Sequence, residues 1–166
     1  MLFRGMRLGL GVVGTRRYST PGLTALKHLT IKRVAPEATV GVREAVLWPG
    51  RPDMCRLAED AQGLHLAATL GDDQVIGVVS LFVDGAEARF RKFAVLEAHR
   101  GAGVGSRLLQ AAEAEAYRLG AKTIECDARA DTAAAYYEKR GYAAAGPPFA
   151  KYEGSEQLYA TMRKPL

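Results

Sequence analysis

Two hydrophobic periods alternate along the chain, and each change of period marks a new element. His28 to Val34 (H-L-T-I-K-R-V) alternates as a strand does. Pro36 suits the first turn of a helix running to about Leu47, with Glu37 near its positive end. Trp48-Pro49-Gly50-Arg51-Pro52 then forces a loop, because two prolines flank a glycine there. Leu64 to Leu70 and Gln74 to Val83 read as strands joined by Gly71-Asp72-Asp73, and Asp84-Gly85 turns the chain into a third strand beginning at Ala88. Tight turns between consecutive strands make this part an antiparallel meander. Val104 to Leu119 follows the helical period and ends at Gly120, and Lys122 to Asp127 returns to the strand period. A strand, helix, strand unit implies a parallel pair with a right-handed crossover. Asp131 is placed to N-cap a helix carrying Ala133 to Arg140 and stopping at Gly141. Tyr142 to Ala145 and Gln157 to Met162, separated by a Gly-Pro-Pro turn and a polar loop, supply the last two strands. The expected fold class is α/β (α+β), a mixed central sheet flanked by helices.

The first 27 residues show neither period with acidic counter-charges. Leu2, Met6, Leu10 and Val13 share one helical face among arginines, and no acidic residue precedes Glu37. That composition predicts a mitochondrial transit peptide over residues 1–18, a linker over 19–27 and one domain over 28–166, with the mitochondrial matrix as destination. Arg16-Arg17-Tyr18-Ser19 is similar to a presequence-processing site. An unstructured tail and a secretory signal are the competing readings. The second would need Leu8 to Gly14 as its apolar core, which is short, broken by glycine and followed by arginines.

Charge and cysteine content narrow the function classes. The formal net charge is +5, but Arg4, Arg7, Arg16 and Arg17 lie in the first segment, and without them 19 basic face 18 acidic side chains. The remaining domain lacks the clustered basic excess of a nucleic-acid binder, so no nucleic-acid partner is expected. No apolar run approaches the roughly 20 residues of a membrane span, so no membrane partner is expected either. Cys55, Cys126 and three scattered histidines have no metal-ligand spacing, and no metal is expected.

The stretch from Ala88 to Leu109 carries the candidate chemistry. A strand with apolar and basic positions leads to Arg100-Gly101-Ala102-Gly103-Val104-Gly105-Ser106, which opens directly into a helix. Backbone N–H groups at such a junction are suited to a phosphate. A P-loop would require Gly-Lys-Ser/Thr, and Gly105 is followed by Ser106 with no lysine. A dinucleotide fingerprint would require its third glycine one place later. A glycine turn serving only the bend is the remaining structural reading.

The order R-x-x-G-x-G resembles the coenzyme A loop of the GNAT acyltransferases. Ala133 to Tyr142 (A-A-A-Y-Y-E-K-R-G-Y) is similar to that family's A-x-x-F-Y-E-K-x-G-F segment at the expected distance. V-R-E-A-V-L-W-P-G-R-P, F-R-K-F-A-V-L and C-D-A-R are similar to the glyphosate-type N-acetyltransferases, so the resemblance covers roughly residues 28 to 164. It implies the GNAT acyl-CoA N-acyltransferase fold and acetyl-CoA as co-substrate. Backbone groups from Gly101 to Ser106, with Arg100, would hold the pyrophosphate, while Phe93, Ala94 and Val95 would bind the pantetheine arm and the thioester carbonyl.

The same resemblance assigns Tyr137 as the acid that protonates the coenzyme A thiolate, with Tyr136 beside it as packing. A phenol with an ordinary pKa near 10 is protonated at neutral pH and can do this. The glyphosate-type subgroup uses a histidine near the C-terminus as base, and Tyr159 stands in its place, with Glu125 or Asp127 acting through water as the other route. Arg91 and Arg129 match positions that hold an anionic substrate, and Arg43 on the first helix corresponds to a third basic position. Cys126 could serve as a nucleophile or as a core residue, and the direct route needs no acyl-enzyme. The implied reaction is acetyl transfer to the primary amine of a small acidic metabolite. A non-catalytic acyl-CoA sensor and a protein lysine or N-terminal acetyltransferase are the alternatives, and both monomer and homodimer are compatible with the sequence.

Overall fold

A computed structural model describes residues 28–71 and 73–166; the expected targeting segment and the whole linker lie outside them. Eight strands form one sheet: β1 (Leu29–Val34), β2 (Leu64–Leu70), β3 (Gln74–Asp84), β4 (Glu87–Val95), β5 (Thr123–Arg129), β6 (Ala143–Ala144), β7 (Phe149–Ala150) and β8 (Leu158–Pro165). Their order is β1-β2-β3-β4-β5-β8-β6, with β7 also on β8. Only β4 and β5 run parallel among the described pairs, so the mixed sheet expected from the periodicity is present.

Among the described residues, three helices cover the two faces: α1 (Val40–Leu47), α2 (Val104–Arg118) and α3 (Ala134–Glu138). Helix α2 buries Val104, Leu108, Leu109, Ala112 and Ala116, which recur at helical spacing, against Ile76, Phe90 and Ile124 of the sheet. On the opposite face Val42 of α1 joins Ala67, Val78 and Ala94 in a smaller core.

Some expectations change at the ends. The first helix begins as a 3₁₀ turn over Pro36–Thr39 and becomes α-helical only at Val40. Helix α3 is shorter than expected, and Ala133 stands at its N-cap. Asp131 does not cap it, because its carboxylate accepts hydrogen bonds from Gln157 Nε2 (3.0 Å) and Thr132 Oγ (3.3 Å). The last long strand starts at Leu158 rather than Gln157 and runs to Pro165. The two-residue β7 is too short to show any period.

Two features position the site. First, β4 and β5 pair only at Glu87/Thr123, Ala88/Ile124 and Arg89/Glu125, after which they diverge while β5 continues against β8 as far as Arg129/Tyr159. The divergence coincides with a bulge in β4: Val78 faces Ala94 and Ser80 faces Arg91, leaving Lys92 and Phe93 opposite Val79. Lys92 takes φ +53°, the only non-glycine in the left-handed region among the described residues. That conformation costs about 1–2 kcal/mol for a residue with a Cβ.

Second, Arg43 is completely buried. Its Nη1 donates to the Cys55 carbonyl (2.7 Å) and to Asp60 (2.8 Å), and its Nη2 donates to Asp60 (3.1 Å) and Ser80 Oγ (2.5 Å). His65 bridges Ser80 Oγ and the Asp60 carbonyl, at 2.7 Å and 2.8 Å. This network ties the segment between α1 and β2 to the sheet. The expectation that Arg43 contacts substrate is therefore corrected. All its charge is spent inside the protein.

Burial alone would raise the Asp60 pKa, but hydrogen bonds from Arg43 and the Leu57 N–H outweigh it and hold the carboxyl below the ordinary aspartate value. Its contribution to stability is present above about pH 4 and is lost as pH falls through the lower folded value. Arg43→Met should cost about 3–5 kcal/mol, since it leaves a largely buried carboxylate without its partner. Urea unfolding at pH 7 measures this, and the gap between variant and wild type should shrink in acid. A loss below about 1 kcal/mol at pH 7 would contradict the network's role.

Candidate active site

The divergence of β4 from β5 opens a cleft of about 470 Å³. Arg89 to Phe93 line one side, Cys126 to Arg129 line the other, and Tyr137 of α3 also contributes. Trp48, Lys151, Tyr152 and Tyr159 complete the wall toward the α1 side and β8. Aromatic rings dominate here. Trp48 meets Tyr152 edge-on at 6.0 Å, and Tyr152 meets Tyr159 at 5.9 Å.

Cations dominate the charge. Arg89, Arg91, Lys92, Arg100, Arg129 and Lys151 line the cleft against one carboxylate, Asp127. Asp127 is fully engaged, accepting from Arg89 (2.6 Å), Thr161 (3.1 Å) and Lys151 (2.8 Å). Burial pushes its pKa up, but Lys151 and Arg89 more than offset this and keep it below the ordinary range. A carboxylate so held is a poor proton acceptor. Glu125 is similarly occupied by Arg163 at 2.7 Å.

Arg91 reaches the cleft, paired with Glu59. Arg129 also lines it, exposed and without an acidic partner among the described residues. Tyr159 enters from β8 with Lys151 Nζ 5.5 Å from its ring centre.

Tyr137 is buried among Phe90, Phe93 and Tyr142. Burial, reinforced by Cys126 and Tyr136, raises its pKa far above the ordinary phenol value, so the hydroxyl carries its proton at any working pH. Cys126 lies beside it. Burial first, and then Asp127, pushes the Cys126 thiol up to about 12. Such a thiol is not a nucleophile at neutral pH, which leaves Cys126 as a packing residue.

The glycine loop lies at the start of α2. Gly101 (φ +76°) and Gly103 (φ +85°) are left-handed, and the first helical hydrogen bond runs from Arg107 N–H to the Gly103 carbonyl. The N–H groups of Val104, Gly105 and Ser106 precede that bond and point out of the helix end. Val104's side chain belongs to the core, so only its backbone is offered. Ala102 is half-buried between the glycines. Arg100 Nε donates to the Val95 carbonyl at 3.1 Å, which fastens the loop to the end of β4. Ala94 is buried and paired with Val78, while Phe93 faces the cleft.

Gly105 has a different constraint. A Cβ there would lie 2.9 Å from Tyr136 Oη and 3.4 Å from the Phe93 ring. Tyr136 therefore projects its hydroxyl at the helix start, where it is buried without a hydrogen-bond partner. Arg140 stacks 3.5 Å from the Tyr136 ring centre and donates to Ser106 Oγ at 2.8 Å. Unfilled donors at a helix N-terminus, an orphaned hydroxyl and a flanking guanidinium together fit an anionic phosphate group.

A family model described as an acetyltransferase (GNAT) domain matches residues 59–144, more than half of the chain. The chain belongs to the GNAT acetyltransferase family. Among solved structures, a Lactobacillus plantarum protein assigned as an N-acetyltransferase is similar at 27% identity and TM-score 0.75, covering 84% of this chain and 99% of its own. A ribosomal-protein alanine N-acetyltransferase from Escherichia coli (20%, TM-score 0.68, 82% and 93%) shares the fold. So does a GNAT acetyltransferase from Elizabethkingia anophelis with acetyl-CoA bound (15%, TM-score 0.65, 84% and 99%). No curated protein sequence matches the chain.

The GNAT assignment makes the chain an acetyl-CoA-dependent N-acetyltransferase. The sequence pattern led to the loop and the resemblance to Tyr137, Tyr159, Arg91 and Arg129, and the structure places all of these around one cleft or at its end. Lys92, Lys151, Trp48, Tyr152 and Arg140 were missed. Lys92 had a signal, since the spacing of Phe90 and Phe93 breaks strict alternation; the others lie where no period operates.

Tyr136→Phe removes a buried hydroxyl that has no partner in the free protein. It should stabilise the free enzyme by about 1 kcal/mol and weaken acetyl-CoA binding about 5- to 10-fold. Thermal unfolding and calorimetric titration measure the two effects. Unaltered affinity would mean that the hydroxyl does not meet the ligand.

Proposed function

We propose that this enzyme acetylates the primary amine of a small acceptor bearing an acidic group, and that it belongs with the glyphosate-type N-acetyltransferases. The observation that carries this reading is the cleft itself, in which six cations face a single carboxylate already neutralised by its neighbours. A carboxylate or phosphonate on the acceptor supplies the missing negative charge, with Arg129 free to receive it and Arg91 able to exchange Glu59 for it.

Acetyl-CoA supplies the activated acetyl group and leaves as the free thiol. Gly101 to Ser106 with Arg100 hold its pyrophosphate, and the β5-facing edge of β4 around Phe93 to Val95 aligns its arm. As the acceptor nitrogen bonds to the acetyl carbon, the carbon–sulfur bond breaks and its electron pair stays on sulfur. Tyr137 donates its hydroxyl proton to that sulfur. The amine gives up one proton in the same turnover. Tyr159 is the cleft group we assign to relay it to solvent, from which Tyr137 recovers the proton it gave to sulfur, because Asp127 and Glu125 are committed to ion pairs. The direct route suits a site whose cysteine is held as a thiol.

The N-terminal composition supports synthesis in the cytosol and import into the mitochondrial matrix. Residues 1–27 fused to a fluorescent protein should then localise to mitochondria, and a diffuse signal would contradict import.

Free-thiol release with saturating acetyl-CoA and a panel of amines tests the reaction. Acidic primary amines should turn over, and silence on every amine with calorimetric acetyl-CoA binding intact would indicate a sensor instead. Tyr137→Phe should lower kcat by about 100- to 1,000-fold while leaving the acceptor KM within a few-fold. Arg129→Ala should raise KM for acidic amines about 10-fold or more, and unchanged kinetics would remove it from the acceptor site.

A further inference from the structure

Lys92 is an odd residue for its place. The bulge in β4 sets its backbone in the left-handed region, which glycine would occupy without strain. No turn or cap there needs a lysine. Strain of this kind concentrates at functional positions, where the surrounding structure holds it in place.

The side chain faces the cleft, half-buried. Its Nζ donates to the Met54 carbonyl at 2.7 Å and lies 5.6 Å from the Trp48 ring centre. No carboxylate pairs with it among the described residues, although most other cations of the cleft are matched or exposed. Burial, and then the charges of Arg43, Arg91 and Lys151, hold its pKa below that of an ordinary lysine. A half-buried cation with cationic neighbours and no counter-ion is electrostatically incomplete. Both other features of its surroundings bear on the acceptor. The Met54 carbonyl and Trp48 fix the ammonium from the α1 side, and the bulge that carries it is the same one at which β4 leaves β5.

We propose that Lys92 is a specificity-determining residue whose ammonium, clamped between the Met54 carbonyl and Trp48, receives the acidic group of the acceptor. This rests on the acidic-amine reading above and assigns its principal cation. Arg91 is partly neutralised by Glu59, and Arg129 stands at the exposed end of β5, so Lys92 is the cation for which an anionic ligand most changes the surroundings. Trp48 and Tyr152 would then pack against the acceptor's apolar part beside that charge.

The test uses the full-length enzyme and matched acceptors that differ only in carrying a carboxylate or its uncharged carboxamide. The ratio of kcat/KM for acid over amide is read for wild type, Lys92→Met and Lys92→Arg. Wild type should favour the acid. Lys92→Met should lower the ratio about 10-fold or more, chiefly by raising KM for the acid, and Lys92→Arg should keep most of the preference. Lys92→Gly, which relieves the left-handed strain, should lose the preference without a lower Tm.

A wild-type ratio in Lys92→Met would overturn the assignment while leaving the acidic-amine reading standing. Loss of turnover on acid and amide alike in both Met and Arg variants would also overturn it, since that pattern belongs to a proton acceptor. A wild-type enzyme with no acid preference would instead refute the reading beneath it.

Discussion

Three residue pairs decide the architecture of this active site. The parallel pairing of β4 with β5 ends at Arg89/Glu125, and everything after it leaves the facing backbone edges of both strands without a strand partner. Unpaired edges inside a sheet are costly unless water or a ligand fills them. Here the filler is prepared for. Below the split, Ala88 and Ile124 are packed into the core under α2; beyond it, Phe90 and Cys126 begin the cleft. The bulge at Lys92 and Phe93 adds a residue to β4 alone, turning that strand away from its neighbour. An extended thioester arm entering there would complete the sheet as an extra strand does.

The network around Arg43 makes the second wall possible. The segment between α1 and β2 contains only short 3₁₀ turns, yet it must hold Trp48, Met54 and Glu59 against the cleft. Hydrogen bonds from one guanidinium to the Cys55 carbonyl, Asp60 and Ser80 fasten it to α1 and β3. A buried ion pair is a modest source of net stability, but it specifies one arrangement where apolar packing alone would allow several.

How much of this the sequence reveals follows from what each half of the site is made of. The cofactor half is built from backbone: glycines with left-handed dihedrals, a helix start and a strand edge. Those requirements restrict residue type at fixed spacing, so Arg100 to Ser106 stood out in the pattern, whereas the Tyr137 segment came from its resemblance to GNAT sequences. The acceptor half is built from side chains brought together by tertiary contacts. Trp48 and Tyr152 come from loops separated by most of the domain, and no period connects them. Arg43 was misread because it was grouped with Arg91 and Arg129 as a basic position for an anionic substrate. Its spacing of three and four from Val46 and Leu47 puts it on the inward stripe of α1, which was the better guide. The Asp131 cap failed for a related reason, since Gln157 across the loop competes for the same carboxylate.

This division has a chemical consequence. The group we assign to the thioester is fixed by the fold: the Tyr137 hydroxyl lies in the aromatic core with Phe90 and Tyr142, and burial raises its pKa further above that of a free phenol. Groups we assign to the acceptor sit on the free part of β4, the last residues of β5 and the loops, outside the buried core. A side chain can therefore be exchanged at Lys92 or Arg129 while the proton donor and the phosphate cradle stay in place. The left-handed backbone at Lys92 sharpens that argument, because glycine would serve the bulge with less strain. A lysine there adds nothing the bulge requires. What it adds is a charge in the cleft, at the point where we propose that the acceptor meets the split strands.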